Sequence, residues 1–120
     1  MKADNQILID SKEFALRIIK FYKYLNEEKG IKILSKQVLR SGTSIGANVR
    51  ESINAQSKMD FINKLNIALK EANETEYWLE LIYESGYIDK KQFESIYDNC
   101  SKIVATLTKI IKTKKANIKN

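Results

Sequence analysis

The 120-residue sequence contains no proline and only four glycines. Proline inside a helix removes a backbone hydrogen bond and clashes with the preceding turn, so a chain without proline can form long uninterrupted helices. Apolar residues recur at spacings of three and four over most of the chain, which is the pattern of amphipathic helices rather than of strands. The sequence therefore predicts an all-α fold.

Capping residues divide this periodic sequence into four predicted helices. The first is predicted to begin at the N-cap Asp10, with Glu13 as its capping-box partner, and Asp89 and Gln92 form the same pattern before the fourth. Ser57 is the predicted N-cap of the third helix. The helices are then expected at about 10–25, with an exit over 26–30, and at about 31–56, 57–85 and 89–112. They lie between a short flexible N-terminus of about 1–9 and a basic C-terminal tail of about 113–120.

Connections of only a few residues join these helices, and such short links hold consecutive helices side by side in opposite directions. The predicted architecture is an antiparallel up-and-down four-helix bundle that forms one domain over residues 1–120. Gly42 and Gly46 fall inside the second helix, and each costs about 1 kcal/mol relative to alanine there. Because the apolar register continues in phase through 41–47, we predict a helix whose small residues admit a close neighbour.

The composition argues against several classes of function. The sequence has no histidine, the commonest general base and transition-metal ligand, and it has a single cysteine, Cys100, which cannot form an internal disulfide. Cys100 falls in the apolar row of the fourth helix and is predicted to be buried and unreactive. Since no segment has the length of a signal peptide or a membrane span, we expect a cytoplasmic, non-enzymatic protein with no catalytic or metal site, cofactor, membrane association or small-molecule substrate.

Charge is distributed unevenly along the chain, whose net charge is +6. Residues 1–56 carry a net +4, residues 57–100 a net −4 and residues 101–120 a net +6. A basic end of this kind attracts RNA or DNA through counterion release, although it also occurs as a solvated end that only keeps a protein soluble. The candidate nucleic-acid contacts are Lys12, Lys20 and Lys23 on the first helix and Lys102, Lys109 and Lys112 on the fourth.

A polar strip borders the apolar face of the second helix and is predicted to meet a similar strip on the third. Its members are Arg40, Ser44, Asn48, Glu51, Glu71, Glu74 and Trp78. Antiparallel pairing places Arg40 opposite Glu74 first and Glu71 second, and it sets Ser44 and Asn48 level with the third helix near 70–71 and 66–67. We interpret the strip as a charge-paired seam. Acid–base or di-metal use of the two glutamates is the weaker interpretation, because bundle di-metal sites also need histidines.

The third helix carries more apolar residues than one bundle core accommodates. The residues predicted to lie outside its inward arc are Ile62, Ile67, Tyr77, Trp78 and Leu81. Aromatic residues on an outer surface are enriched where subunits associate. The sequence thus predicts a homo-oligomer.

Two runs, residues 37–48 (QVLRSGTSIGAN) and residues 70–79 (KEANETEYWL), resemble the four-helix-bundle proteins encoded in intervening sequences of bacterial 23S rRNA genes. The resemblance implies an up-and-down bundle, assembly as a pentameric ring and no established catalytic activity. The accessory protein of diversity-generating retroelements is remotely similar, and it is a basic ring that partners a reverse transcriptase and nucleic acid. Two hypotheses stay open: a homo-oligomeric nucleic-acid-binding or ribonucleoprotein accessory module, and a protein-protein interaction scaffold with no nucleic-acid role.

Overall fold

The computed structural model describes the backbone of residues 2–119 and the side chains of residues 5–118. Over this range the chain forms α1 (Lys2–Glu27), α2 (Ile33–Ile53), α3 (Lys58–Glu84) and α4 (Lys90–Lys119), and it contains no strand. The four helices form a rod of 51 × 22 × 20 Å. The predicted all-α fold is confirmed.

Each helix packs against its neighbours in sequence, and α4 closes the bundle by packing back on α1. Residue numbers rise along α1 as they fall along α2, because Ser11 lies against Gly46 and Ile18 lies against Gly42. The other helix pairs follow the same inverse order, as in Arg40–Glu74 and Glu51–Lys64 for α2 and α3, Ala72–Cys100 and Tyr83–Phe93 for α3 and α4, and Arg17–Asn99 and Tyr24–Gln92 for α1 and α4. The topology is therefore up and down, with neighbouring helices antiparallel.

Local caps fix the starts of α3 and α4 as the sequence predicts. The Ser57 hydroxyl accepts a hydrogen bond from the backbone N–H of Asp60 at 3.0 Å. Asp89 and Gln92 form a reciprocal capping box, in which each side-chain oxygen accepts the other residue's backbone N–H, at 2.7 and 2.9 Å. Gly30 lies within the first connection, between α1 and α2, and has φ +67°, a left-handed conformation that glycine adopts at little cost.

The predicted start of α1 is wrong, because the helix begins at Lys2 and Asp10 lies inside it. The Asp10 carboxylate accepts a hydrogen bond from the Gln6 side chain at 2.8 Å instead of capping the helix. Ile7, only 2% exposed, extends the apolar face one heptad before Phe14 and so holds this turn on the core. At the other end, α4 continues through the predicted tail to Lys119. Met1 and Asn120, at the ends of the predicted termini, lie outside the described residues.

The segment of small residues in α2 is helical, as predicted, and its glycines set the spacing to α1. A Cβ atom added to Gly42 would lie 2.8 Å from both γ carbons of Ile18. A Cβ added to Gly46 would lie 3.1 Å from the backbone carbonyl oxygen of Ser11, which cannot rotate away. Glycine at these positions allows α1 to approach α2 more closely than a side chain would permit.

The outward apolar residues predicted on α3 behave differently from one another. Ile67 and Tyr77 are exposed, at 43% and 53%, whereas Trp78 and Leu81 are half-buried. Ile62 is 1% exposed and belongs to the core, so its predicted outward position is wrong. A fixed 100° wheel drifts by about 20° per heptad from the 3.5-residue repeat of a bundle, and over α3 this drift moves the inward arc past Ile62.

Cys100 is confirmed as part of the core. Its side chain is fully buried, and its Sγ atom donates a hydrogen bond to the Ala72 carbonyl oxygen at 3.4 Å. Burial, with a smaller effect of the nearby Glu76 carboxylate, raises the pKa of the Cys100 thiol far above its ordinary value. The thiol therefore stays protonated and serves as a small apolar side chain.

Candidate functional site

The polar strip between α2 and α3 is built around Arg40. Its guanidinium donates to the Glu74 carboxylate from one terminal nitrogen and to Glu71 Oε2, at 3.3 Å, from the other. Glu74 Oε1 also accepts the indole N–H of Trp78 at 3.2 Å. Glu71 is only 15% exposed, and Arg40 is its charged partner at this position. The structure thus brings together four of the seven residues of the strip.

The remaining three residues of the strip do not join this cluster. The Ser44 hydroxyl donates to the Arg40 carbonyl oxygen at 2.6 Å, and the Asn48 amide donates to the Ser44 carbonyl oxygen at 2.8 Å. Both side chains therefore bond along α2, as short polar side chains do in helices, and these hydrogen bonds do not cross to α3. Glu51 reaches α3 separately, through an ion pair with Lys64 at 3.4 Å.

Two further carboxylates of α3, which the sequence analysis missed, bind α4. Glu80 accepts a hydrogen bond from the Tyr97 hydroxyl at 2.9 Å, and Glu76 accepts one from the Ser101 hydroxyl at 2.7 Å. Burial, followed by the hydrogen bond to Glu80, raises the pKa of Tyr97 to about 12. Each glutamate from Glu71 to Glu80 is thus bonded to a neighbouring helix. We call these contacts of α3 with α2 and α4 the acidic seams.

The six candidate lysines are all exposed but occupy different faces of the bundle. Lys12 borders a shallow groove between α1 and α2, while Lys20 and Lys102 border the junction of α1 and α4. Lys102 and Lys109 are seven residues apart and lie within about 20° of one another around α4. Lys91, eleven residues before Lys102, falls on the same row. It was not among the predicted contacts, which on α4 lie in the more basic segment 101–120.

An arginine that the sequence analysis did not single out bridges α1 and α4. One terminal nitrogen of Arg17 donates to the carbonyl oxygen of Ser95 at 3.3 Å and to Asn99 Oδ1 at 3.2 Å, and the other donates to the Ser95 hydroxyl at 2.6 Å. These acceptors are uncharged, in contrast to the carboxylates that bind Arg40. Within residues 5–118 the positive charge of Arg17 is therefore not neutralised by an ion pair.

The α1–α4 junction is open on both sides of Arg17, and its two halves differ in charge. Towards the bundle end formed by the C-terminus of α1, a groove of about 450 Å³ is lined by no acidic side chain among the described residues. We call it the basic groove, and it is lined by Arg17, Lys20, Phe21, Tyr24, Lys91, Gln92, Ser95 and Ile96. On the other side of Arg17, the groove of about 400 Å³ has Asp10 and Glu13 beside Lys102, so opposite charges offset one another there.

Comparison with known proteins places these features in a family. The family model for the 23S rRNA-intervening sequence protein matches residues 3–109, which include Arg17, Arg40 and the carboxylates of the acidic seams. The chain belongs to the 23S rRNA-intervening sequence protein family. Of the candidate lysines, Lys112 lies beyond the matched segment of this family.

A solved structure supports membership of the 23S rRNA-intervening sequence protein family. It is the crystal structure of a protein with unknown function from the S23 ribosomal protein family of Bacteroides thetaiotaomicron, with a TM-score of 0.90. The two chains are 57% identical, over 92% of this chain and 98% of that chain. The sequence has no significant match among curated proteins.

Membrane-spanning helices and metal-binding clusters can both be assessed in this member of the 23S rRNA-intervening sequence protein family. None of the described helices combines the length and the apolar character that crossing a bilayer requires. In the part of the chain that the structure describes, no three cysteine, aspartate or glutamate side chains are grouped so that they could hold a metal ion. The described surface also carries the acidic seams and the basic groove.

Proposed function

We propose that this protein is a non-enzymatic nucleic-acid-binding module that serves as an accessory of a ribonucleoprotein and works as a homo-oligomer. The charge of α4 carries the proposal, because this helix has eight lysines and only two acidic residues, Glu94 and Asp98. Lys91, Lys102 and Lys109 form an exposed row along α4, and the first two line grooves that α4 shares with α1. A row of ammonium groups at this spacing attracts a phosphate backbone by releasing its counterions.

The positions of the acidic residues support the same proposal. Four glutamates of α3 are bonded within the acidic seams, on the sides of α3 that face α2 and α4. They are therefore held away from the junction of α4 with α1. A protein whose opposite charges are separated in this way presents one face that attracts a polyanion.

Assembly is the second part of the proposal, with five subunits as the expected number. Ile67 and Tyr77 on α3 are exposed apolar side chains, and α1 exposes Ile9 and Leu16. Their burial between copies of the chain would contribute apolar contact area of the kind found at subunit interfaces. A ring would repeat the basic row several times, so contacts with one strand become linked binding events and affinity rises.

Titration of labelled RNA and DNA with the full chain over a series of salt concentrations tests the binding. The wild type is expected to weaken steeply as salt rises. Replacing Lys102, Lys109 and Lys112 by alanine should reduce the slope of log affinity against log salt by about 2 to 3, which is about 0.7 to 0.9 for each lost phosphate contact. The control with the same change in charge replaces Lys32, Lys36 and Lys58 and should change the slope less. Absence of salt-sensitive binding in the wild type would contradict the proposal.

Light scattering on the purified protein tests the assembly. A pentamer has about five times the subunit mass of 13.9 kDa, and a mass equal to one subunit at micromolar concentration would contradict it. A second candidate function, a scaffold for protein-protein interaction without nucleic acid, is favoured by the exposure of Tyr77 and Ile67. An oligomer that binds neither RNA nor DNA would support the scaffold.

A further inference from the structure

We propose that the basic groove between α1 and α4 binds single-stranded nucleic acid, with phosphates on Arg17, Lys20 and Lys91 and a base against the rings of Phe21 and Tyr24. This inference rests on the proposed function and assigns it to a site. It places the principal contact at the N-terminal end of α4, whereas the sequence places the highest charge density at the C-terminal end of that helix.

The phosphate contact depends first on Arg17. Hydrogen bonds to Ser95 and Asn99 hold its guanidinium at the α1–α4 junction. Among residues 5–118 these bonds occupy three of its five N–H groups. Two N–H groups remain for an incoming acceptor. Because the three bonded acceptors are uncharged, the full positive charge also remains. A guanidinium held in place in this way loses little side-chain entropy when a phosphate oxygen binds.

The charges around the Arg17 guanidinium also favour an anion. Lys20 projects from α1 and Lys91 from α4, so the two exposed ammonium groups flank the groove on opposite helices. Lys29 adds a further cation near the same end, with its Nζ 5.9 Å from the centre of the Tyr24 ring. Within the described part of the chain no carboxylate lines this groove, whereas Asp10 and Glu13 line the groove on the other side of Arg17. An anion is therefore favoured more strongly in the basic groove than in the groove on the other side of Arg17, where opposite charges offset one another.

The two aromatic rings of the basic groove indicate which class of anion it binds. Phe21 and Tyr24 are half-buried and pack against the core, so both rings line the groove in fixed positions. Unpaired bases stack on such rings, while the bases of a duplex are stacked on one another and present no free face. The groove, at about 450 Å³, has the size of a small-ligand pocket. Cations beside aromatic rings therefore favour a single strand over a duplex, and over an acidic peptide, which has no bases to stack.

Paired charge variants test the phosphate contacts. Lys20→Ala with Lys91→Ala should weaken binding of a labelled single-stranded RNA by about tenfold or more at low salt and reduce the salt slope by about 1.5. Lys36→Ala with Lys58→Ala removes the same charge from exposed positions that do not line the groove and should change the affinity less than threefold. Equal effects of the two double variants would overturn the inference. Circular dichroism and light scattering on each variant exclude changes in fold and in assembly.

Variants of Tyr24 test the stacking without changing charge. Tyr24→Leu should weaken single-strand binding by about fivefold or more and leave the salt slope unchanged, whereas Tyr24→Phe, which keeps the ring, should bind like the wild type. Tyr22→Leu is the matched control, since Tyr22 is also half-buried on α1 but lies two residues away on a different flank of the helix. Ultraviolet crosslinking of the bound strand, mapped by mass spectrometry, should identify Phe21 or Tyr24. Crosslinks confined to other segments would contradict the inference.

The choice of probe separates this inference from the proposed function. The arms are single-stranded RNA, single-stranded DNA of the same sequence, a duplex of that sequence and polyglutamate as a competitor. Preference for a single strand of either kind supports the groove, while preference for the duplex or full competition by polyglutamate overturns it. If the wild type binds none of the nucleic acids, the proposed function fails. If it binds with a normal salt slope but the groove variants match their controls, only the site assignment fails.

Discussion

Two arginines each connect a pair of helices in this bundle, with opposite electrostatic results. Arg40 lies between the carboxylates of Glu71 and Glu74 in an acidic seam, so its charge is paired within the protein. Arg17 lies at the basic groove, and among residues 5–118 it donates only to the uncharged groups of Ser95 and Asn99. One arginine therefore fixes the register of α2 and α3, while the other retains its charge for a ligand.

The same contrast between paired and unpaired charges applies to the helices that carry these arginines. Helix α3 binds its neighbours through glutamates that contact an arginine on one side and hydroxyl groups on the other. The α1–α4 junction lacks such pairs around the basic groove and stays open. The comparison teaches that net charge alone does not locate a binding surface, because paired charges mainly stabilise the fold and unpaired ones remain available to a partner.

The largest expected effect concerns the closed side of the molecule, where Cys100 is buried between α3 and α4. Labelling of its thiol by a maleimide at neutral pH should be at least about 100-fold slower in the folded protein than in denaturant, since the thiol is protonated and inaccessible. The measurement is the rate of mass increase of the intact chain. Rapid labelling would show that this side of the bundle opens, and the contrast with the basic groove would fail.

The next largest effect concerns Arg40. Replacing Arg40 by alanine should reduce the free energy of unfolding by about 1 to 3 kcal/mol, because the half-buried Glu71 and Glu74 carboxylates lose their partner. Combining Arg40→Ala with Glu71→Gln and Glu74→Gln should cost less than the single change, since no unpaired charge remains. Urea titrations of all variants measure the coupling. Strictly additive effects would remove the ion pairs from the explanation of the seam.

Arg17 should affect stability less. Arg17→Ala is expected to reduce the free energy of unfolding by about 0.5 to 1 kcal/mol, because water replaces its contacts with the exposed Ser95 and the half-buried Asn99. The same urea titration measures the value. A loss larger than that of Arg40→Ala would mean that Arg17 is primarily structural, and the contrast between the two arginines would be wrong.

The smallest expected effect is a pH dependence of the α3–α4 seam. In the unfolded chain Tyr97 loses its proton near its ordinary pKa of 10.0, whereas burial and the hydrogen bond to Glu80 raise the pKa to about 12 in the fold. The unfolded state releases the proton first, so this contribution to stability is present below pH 10 and is lost as pH rises towards 12. Thermal unfolding at pH 9 and 11 should therefore show a smaller decline for Tyr97→Phe than for the wild type. Equal declines would contradict the raised pKa.

The sequence predicts a feature well when the residues that cause it are close to one another in the chain. The caps at Ser57 and Asp89 are local, so the sequence predicts them correctly. The cluster of Arg40 with Glu74 was predictable because opposite charges meet near one level of two short-linked helices. Ile62 was misplaced because an angular error accumulates along a long helix.

The basic groove was missed for a different reason. Arg17 and its acceptor Ser95 are separated by 78 residues, and serine and asparagine side chains give no charge pattern that would suggest the contact. Lys91 belongs to the lysine row of α4, but it precedes the segment with the highest charge density. The signal that could have identified the groove is the alternation of basic and aromatic residues in Arg17, Lys20, Phe21 and Tyr24.

Acetylation footprinting of lysines in the full chain, with and without a saturating single-stranded RNA, tests the contrast between the two regions most directly. Mass spectrometry of the digested protein reports the modification rate of each exposed lysine. Bound RNA should slow the modification of Lys20 and Lys91 several-fold and leave Lys36 and Lys58, which lie on α2 and α3, unchanged. Protection of Lys36 and Lys58 with Lys20 and Lys91 unprotected would contradict the account.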